Sequence, residues 1–188
     1  MTRMARISLD PPRTILLRVV ETYSKRQYGK VLDPARAFGH NTKILLSYLR
    51  FEQKVAKWDA LDAGLKHIAE MVAAARIGCE WCMDFGYWKA DDLGLPLDKI
   101  AKVPAWREHR DAFTELEQQV MEYAEAMTAT PPTVTDEQSA RLQKELGAAA
   151  MVELTTMVAL ENLRSRVNSA FGLTGQGFSD QCEIRPVP

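Results

Sequence analysis

Asp62-Ala63-Gly64-Leu65-Lys66-His67-Ile68-Ala69-Glu70-Met71-Val72-Ala73-Ala74-Ala75-Arg76-Ile77-Gly78-Cys79-Glu80-Trp81-Cys82-Met83-Asp84-Phe85-Gly86 reads as one helix that stops and a second that starts on a cysteine. Asp62 is placed to cap the first helix, in which Leu65, Ile68, Ala69, Val72 and Ala73 recur at three- and four-residue steps. That face is narrow and made of small side chains, which suits close packing against neighbouring helices. Arg76, next in the register, is charged, so the apolar stripe stops there and Gly78 ends the helix. The second helix begins at Cys79 and leaves at Gly94, where Leu95 and Pro96 follow. Both thiols therefore sit at a helix start.

The same logic extends in both directions. Pro11 and Pro12 mark an extended arm before a helix over residues 13–28, and Asn41 caps a helix reaching residue 60 whose Ile44, Leu45, Tyr48, Leu49 and Val55 face a core. A short helix is predicted over residues 97–103. Phe113, Leu116, Val120, Tyr123 and Met127 are in helical register over 112–128, and Pro131 and Pro132 force a loop over 128–134. Thr135 with Gln138 forms a capping box that opens a helix ending near Gly147. The last helix, over 148–171, is predicted to bury Val152, Thr156, Ala159, Leu160, Leu163, Val167 and Ala170. After Gly172 the chain is rich in Gly and Ser and reads as a poorly ordered or partner-bound tail. No strand-like alternation of useful length occurs, so the fold class is all-α.

At 188 residues the chain is long enough for one domain that buries roughly 70% of its unfolded surface without a cofactor to hold it together. Its 46% apolar and 26% charged content is that of an ordinary globular domain, and a net charge of -1 with no basic cluster argues against nucleic acid as a partner. The apolar run from Ile15 to Val20 is broken by Arg18 and is followed by no cleavage site, and no stretch approaches the roughly 20 apolar residues of a bilayer span, so no membrane is expected. Three cysteines, Cys79, Cys82 and Cys182, are too few for a disulfide scaffold, and a reducing cytoplasm is the expected compartment.

Residues three apart on a helix share a face, so Cys79 and Cys82 can close a disulfide if the first lies at the unwound start. Unpaired N–H groups and the helix dipole there favour a thiolate, whereas Glu80 opposes it by like charge. Two alternatives stand beside redox chemistry. The cysteines can be small buried core residues, or half of a zinc site, for which the remaining candidates Cys182, His40, His67 and His109 lack the spacing of a second knuckle. No metal and no cofactor is expected. His67 lies 12 residues before Cys79, close enough along the fold to return as a proton acceptor. Trp81, Phe85, Tyr87 and Trp88 form a dense aromatic group that either packs or lines a pocket for an apolar substrate, and Asp84 points away from the thiol face.

The helix from Leu65 to Val72 followed by Gly78-Cys79-Glu80-Trp81-Cys82 resembles the signature segment of the carboxymuconolactone decarboxylase superfamily, which includes the AhpD-like alkylhydroperoxidases. The run from Val152 to Leu173 resembles that superfamily's closing helix, and the likeness covers residues 38–173, leaving 1–37 as an arm and helix and 174–188 as a tail. The resemblance implies an AhpD-like helical domain assembled as a homo-oligomer, a trimer or hexamer. It implies Cys82 as the peroxidatic thiol, Cys79 as its resolving partner, a hydroperoxide substrate and a dithiol reductant. In the peroxidase branch a glutamate precedes the first cysteine by 12 residues and a histidine follows the second by four, and here those positions hold His67 and Gly86. His67 is then the expected base. A lyase or hydrolase acting on a small lactone or aromatic acid, and a non-catalytic oligomeric binding module, are the other readings.

Overall fold

Residues 5–181 are described by a computed structural model, which is helical throughout with no strand among them. The chain divides into two units, Met1–Trp58 with Ala170–Thr174, and Asp59–Ser169 with Gly175–Pro188.

In the first unit, α1 (Ile15–Tyr28) begins where the Thr14 hydroxyl accepts the Leu17 N–H, and it ends at Gly29, whose φ of 72° only glycine adopts without cost. A short helix that the sequence pattern does not reveal, α2 (Asp33–Phe38), follows, with Pro34 in its first turn, where its missing N–H costs no hydrogen bond. The Asn41 side chain caps α3 (Thr42–Val55) by accepting the Ile44 N–H. This helix stops at Val55, short of the expected end. Leu45 and Val55 of the expected stripe are buried, but Ile44 is exposed, so the stripe is only partly covered.

The second unit holds α4 (Ala63–Ile77), α5 (Glu80–Asp92), α6 (Leu97–Ile100), two 3-10 turns at Val103–Glu108 and Arg110–Ala112, α7 (Glu115–Thr128) and α8 (Asp136–Phe171), whose last two residues belong to the first unit. Its core joins Ile68, Ala69, Val72 and Ala73 of α4 with Tyr87 and Ala90 of α5, Val120, Met121 and Ala124 of α7, and Leu154 and Val158 of α8. Ala69 and Ala73 have no exposed surface, and their small size lets α4 lie close against α5 and α7. Each large side chain such as Leu154 contributes about 2 kcal/mol by leaving water. The start of α4 is held by Glu153 of α8, which pairs with Lys66 and accepts the Ala60 and Leu61 N–H groups at 2.7 and 3.2 Å.

Helix α8 differs from its sequence reading in two ways. The expected boundary at Gly147 is a kink, with φ 79° and ψ 167°, inside one long element; the capping box of Thr135 and Gln138 opens it as expected. The buried face is also rotated. Val152 is 67% exposed and Leu163 47%, whereas Glu153, Leu154, Met157, Glu161, Ser165 and Asn168 are buried. Leu160 of the expected stripe is buried as predicted, but apolar periodicity misplaces Val152 and Leu163 because the inward face of this helix also carries polar groups. By length and composition α8 is apolar enough to cross a membrane, the only such helix among the described residues, which the residue pattern does not suggest. Leu154 and Val158, both fully buried, account for part of that composition by packing in the core.

The segment after Gly172 is ordered as far as it is described. Asp84 on α5 accepts the N–H groups of Gln176, Phe178 and Ser179 at 2.7, 3.1 and 2.8 Å and the Ser179 hydroxyl at 2.7 Å. Four donors converging on one carboxylate anchor a stretch of chain that composition alone marks as loose.

Candidate thiol site

Gly78 turns the chain with φ 76°, and Cys79 then takes an extended conformation as the N-cap of α5. Its sulfur accepts the Cys82 N–H at 3.2 Å, standing where a Ser or Asp oxygen usually stands. One turn on, Cys82 lies beside it on the same face, the two Cα atoms are 5.3 Å apart, and the sulfurs are joined as a disulfide. Cys79 is 1% exposed and Cys82 9%, so both residues are buried and Cys82 is the less enclosed of the two.

Three residues that sequence reasoning assigns no role complete the surroundings of Cys82. Glu161, Ser165 and Asn168 follow one another on the inward face of α8 at four- and three-residue spacing. The Ser165 hydroxyl and the Asn168 side-chain amide donate to Cys82 Sγ at 3.3 and 3.4 Å. Ser165 Oγ is also 2.6 Å from Glu161 Oε1. Arg164 Nη1 donates to Glu70 of α4 at 2.6 Å and lies 3.5 Å from Glu161 Oε2. Burial pushes the Glu161 carboxyl up to about 8; Arg164 opposes the rise, and the Glu70 charge adds to it. The signal available in the sequence is a row of polar residues in line with Leu154, Met157 and Val158, a placement that burial makes costly unless each group has a partner.

His67 is buried on α4 and hydrogen-bonds the Gly86 backbone, its Nε2 has no partner, and no hydrogen bond joins its ring to either sulfur. Burial holds it below its ordinary range, with Lys89 adding to the effect, while Glu70 and the Gly86 bond act against it. At Gly86 the Met71 sulfur occupies the space where a Cβ would stand, so this position admits no side chain beside Met71 as it is placed. Asp84 faces the tail, as already described, and not the thiols. Of the aromatic group, Tyr87 joins the core, while Trp81, Phe85 and Trp88 surround Phe178 of the tail. Trp81 stacks on Phe85 at 5.1 Å and donates its indole N–H to Gln176 at 2.8 Å. Cys182, the third thiol, lies outside the described residues. Among the described residues no group of three His, Cys, Asp or Glu side chains is arranged to hold a metal ion.

Known proteins resemble this chain in both sequence and fold. The carboxymuconolactone decarboxylase family profile matches residues 43–126. An uncharacterised protein of Escherichia coli (strain K12), YnjA, is 33% identical over 168 residues, which cover 87% of this chain and 90% of that protein. Among solved structures, the apo form of the debrominase Bmp8 matches with a TM-score of 0.78 at 16% identity, covering 93% of this chain and 95% of its own. A cysteine-to-alanine variant of Bmp8 in complex with 2,3,4-tribromopyrrole matches with a TM-score of 0.80 at 15% identity, covering 95% and 97%. An Agrobacterium tumefaciens protein of unknown function, proposed as an antioxidant defence protein AhpD, has a TM-score of 0.68 at 19% identity and covers 73% of this chain and 94% of its own. A helix leading into a Cys-x-x-Cys start, the family profile over residues 43–126 and a relative at this identity over nearly its whole length agree: the chain belongs to the carboxymuconolactone decarboxylase family.

Proposed function

We propose that this protein is a thiol-dependent peroxidase in which Cys82 attacks an organic hydroperoxide and Cys79 resolves the product as a disulfide. The observation that carries this reading is the Cys79–Cys82 disulfide whose Cys82 sulfur receives hydrogen bonds from Ser165 and Asn168. In the reduced protein two such donors aimed at one sulfur stabilise its thiolate over its thiol, and the thiolate is the nucleophile. Attack on the outer oxygen breaks the O–O bond, leaves a sulfenic acid on Cys82 and releases an alkoxide that takes a proton to become the alcohol. The Cys79 thiol then displaces the sulfenic oxygen as water and closes the disulfide, and a dithiol donor in a reducing cytoplasm restores both thiols. Ile15, Val19 and Tyr23, exposed at four-residue steps along α1, support assembly into a homo-oligomer, which light scattering on the purified protein tests.

The direct experiment titrates the reduced protein with cumene hydroperoxide while free thiols are counted, comparing wild type with Cys82→Ser. Rapid loss of two thiols per chain, absent in the variant, is the expected outcome. Loss no faster than that of free cysteine overturns the proposal. Loss driven instead by a brominated pyrrole, with bromide released and the arene carbon reduced, transfers the reading to dehalogenation, the activity named for the Bmp8 structures.

A further inference from the structure

A thiol peroxidase moves one proton off the attacking sulfur and later delivers one to the alkoxide, and neither His67 nor Gly86 contacts the sulfur to do so. We infer that Glu161, acting through the Ser165 hydroxyl, holds that proton: it takes it as the Cys82 thiolate forms and returns it to the leaving alkoxide. The second half of this inference rests on the peroxidase reading, and the first half does not.

The geometry is a chain of three groups: Glu161 Oε1, Ser165 Oγ at 2.6 Å, and Cys82 Sγ at 3.3 Å from Ser165 Oγ. A hydroxyl owns one proton. When Glu161 is ionised, Ser165 donates that proton to the carboxylate and has none for the sulfur. When Glu161 is protonated, its carboxyl donates to Ser165 and the hydroxyl proton is free to point at Cys82. The charge on the sulfur and the charge on Glu161 therefore exclude each other, as expected for two groups sharing one proton. Ser165 has no exposed surface and Glu161 only 6%, so bulk water does not compete for this path. The charged groups around the carboxyl are Arg164 on its own helix and Glu70 on α4, and Glu70 is itself bound to Arg164. With burial, this setting keeps the Glu161 proton until about pH 8, close to where a thiol exchanges its own.

In the reduced protein the Glu161–Ser165–Cys82 chain, once it holds a single acidic proton, holds it on the buried carboxyl: the Cys82 S–H proton has passed to Ser165 Oγ and the Ser165 proton to Glu161, leaving a thiolate and a neutral carboxyl. The thiolate displaces alkoxide from the hydroperoxide and keeps the hydroxyl as sulfenic acid. The Glu161 proton returns through Ser165 to the alkoxide, so the alcohol forms without a proton from solvent and the carboxyl is left ionised.

Two readouts on the full-length reduced protein test this separately from the peroxidase reading. The first is the pH dependence of iodoacetamide alkylation at Cys82, followed by mass spectrometry. Wild type is expected to titrate in two steps, because the thiol and the carboxyl share a proton, and both Glu161→Gln and Ser165→Ala in one. Identical profiles in all three proteins overturn the inference; should the Gln variant fail to fold, the Ala variant carries the comparison. The second readout is oxidation by cumene hydroperoxide near neutral pH, where Glu161→Gln is expected to be roughly 10²-fold slower, the size of a general-acid contribution. An undiminished rate in that variant overturns the inference. A wild type that alkylates in two steps but ignores hydroperoxide refutes the peroxidase reading and leaves the shared proton standing.

Discussion

Replacing Glu161 with glutamine removes a carboxyl that folding forces into its protonated form. In the unfolded chain this carboxyl ionises near its ordinary 4.5, and in the folded protein it holds its proton to about 8. The folded state thus binds the extra proton, so the stability that Glu161 contributes is fully present below pH 4.5 and is lost as pH rises toward 8. At ~1.4 kcal/mol for each pH unit the whole interval amounts to about 5 kcal/mol at most. The substituted amide keeps the shape and a donor for Ser165 but has no proton to lose. The difference in unfolding free energy between the two proteins is therefore expected to move in favour of the variant by about 1.4 kcal/mol per pH unit through the neutral range. Urea denaturation of both oxidised proteins from about pH 5 to about pH 8 measures it, each step shifting the relative midpoints by roughly 0.5 to 1 M. Any change in packing caused by the amide adds an offset that does not vary with pH. Midpoints that move in parallel across this interval refute the reasoning, because they mean that Glu161 is already ionised in the fold.

Other perturbations reach separate parts of the molecule. Gly86→Ala drives a methyl group into the Met71 sulfur and is expected to cost about 1–3 kcal/mol in chemical denaturation, with Met71→Ala in the same chain recovering part of it; a neutral single variant contradicts the tight packing of α4 on α5. Burial resists ionisation of Asp84, but hydrogen bonds from Ser179, Phe178 and Gln176 hold its carboxyl below the usual range, so the stability it contributes is present above the ordinary 3.8 and is lost as pH falls through its folded value. Asp84→Asn is expected to cost about 1–3 kcal/mol and to open residues 175–181 to limited proteolysis at neutral pH, and unchanged cleavage there speaks against the anchor. His67 is held below its ordinary 6.5 by burial, so the unfolded chain takes up a proton first and stability falls as pH drops below that value. His67→Asn should flatten this acid limb, and a variant as acid-sensitive as wild type excludes His67 as its source.

The local features of this protein are legible in its residues because short-range chemistry sets them. Asn41 and Asp62 cap helices that begin at the next residue, Thr135 with Gln138 opens α8, and Gly78 ends a helix with positive φ. Gly78-Cys79 likewise ends one helix and starts another, so the two thiols lie within reach of each other before any tertiary contact is considered. Helix α2 escapes such a reading because six residues carry too little periodicity to register. Hydrophobicity finds the buried Leu160 of α8 but also selects the exposed Val152 and Leu163 and passes over Glu161, Ser165 and Asn168, which packing turns inward although they are polar. The anchoring of the tail on Asp84 spans more than ninety residues and leaves no mark in composition.

The sequence by itself determined an all-helical chain with a Cys-x-x-Cys pair on a helix start, since caps, breaks and three-residue spacing act between neighbours along the backbone. Only the tertiary structure decided what surrounds the Cys82 sulfur. Ser165 and Asn168 reach Cys82 across 83 and 86 residues, and Glu161 keeps its proton because the packing of α4 and α8 removes it from water and sets Glu70 and Arg164 beside it. Burial and long-range contact belong to the folded chain, and no short window of residues encodes them.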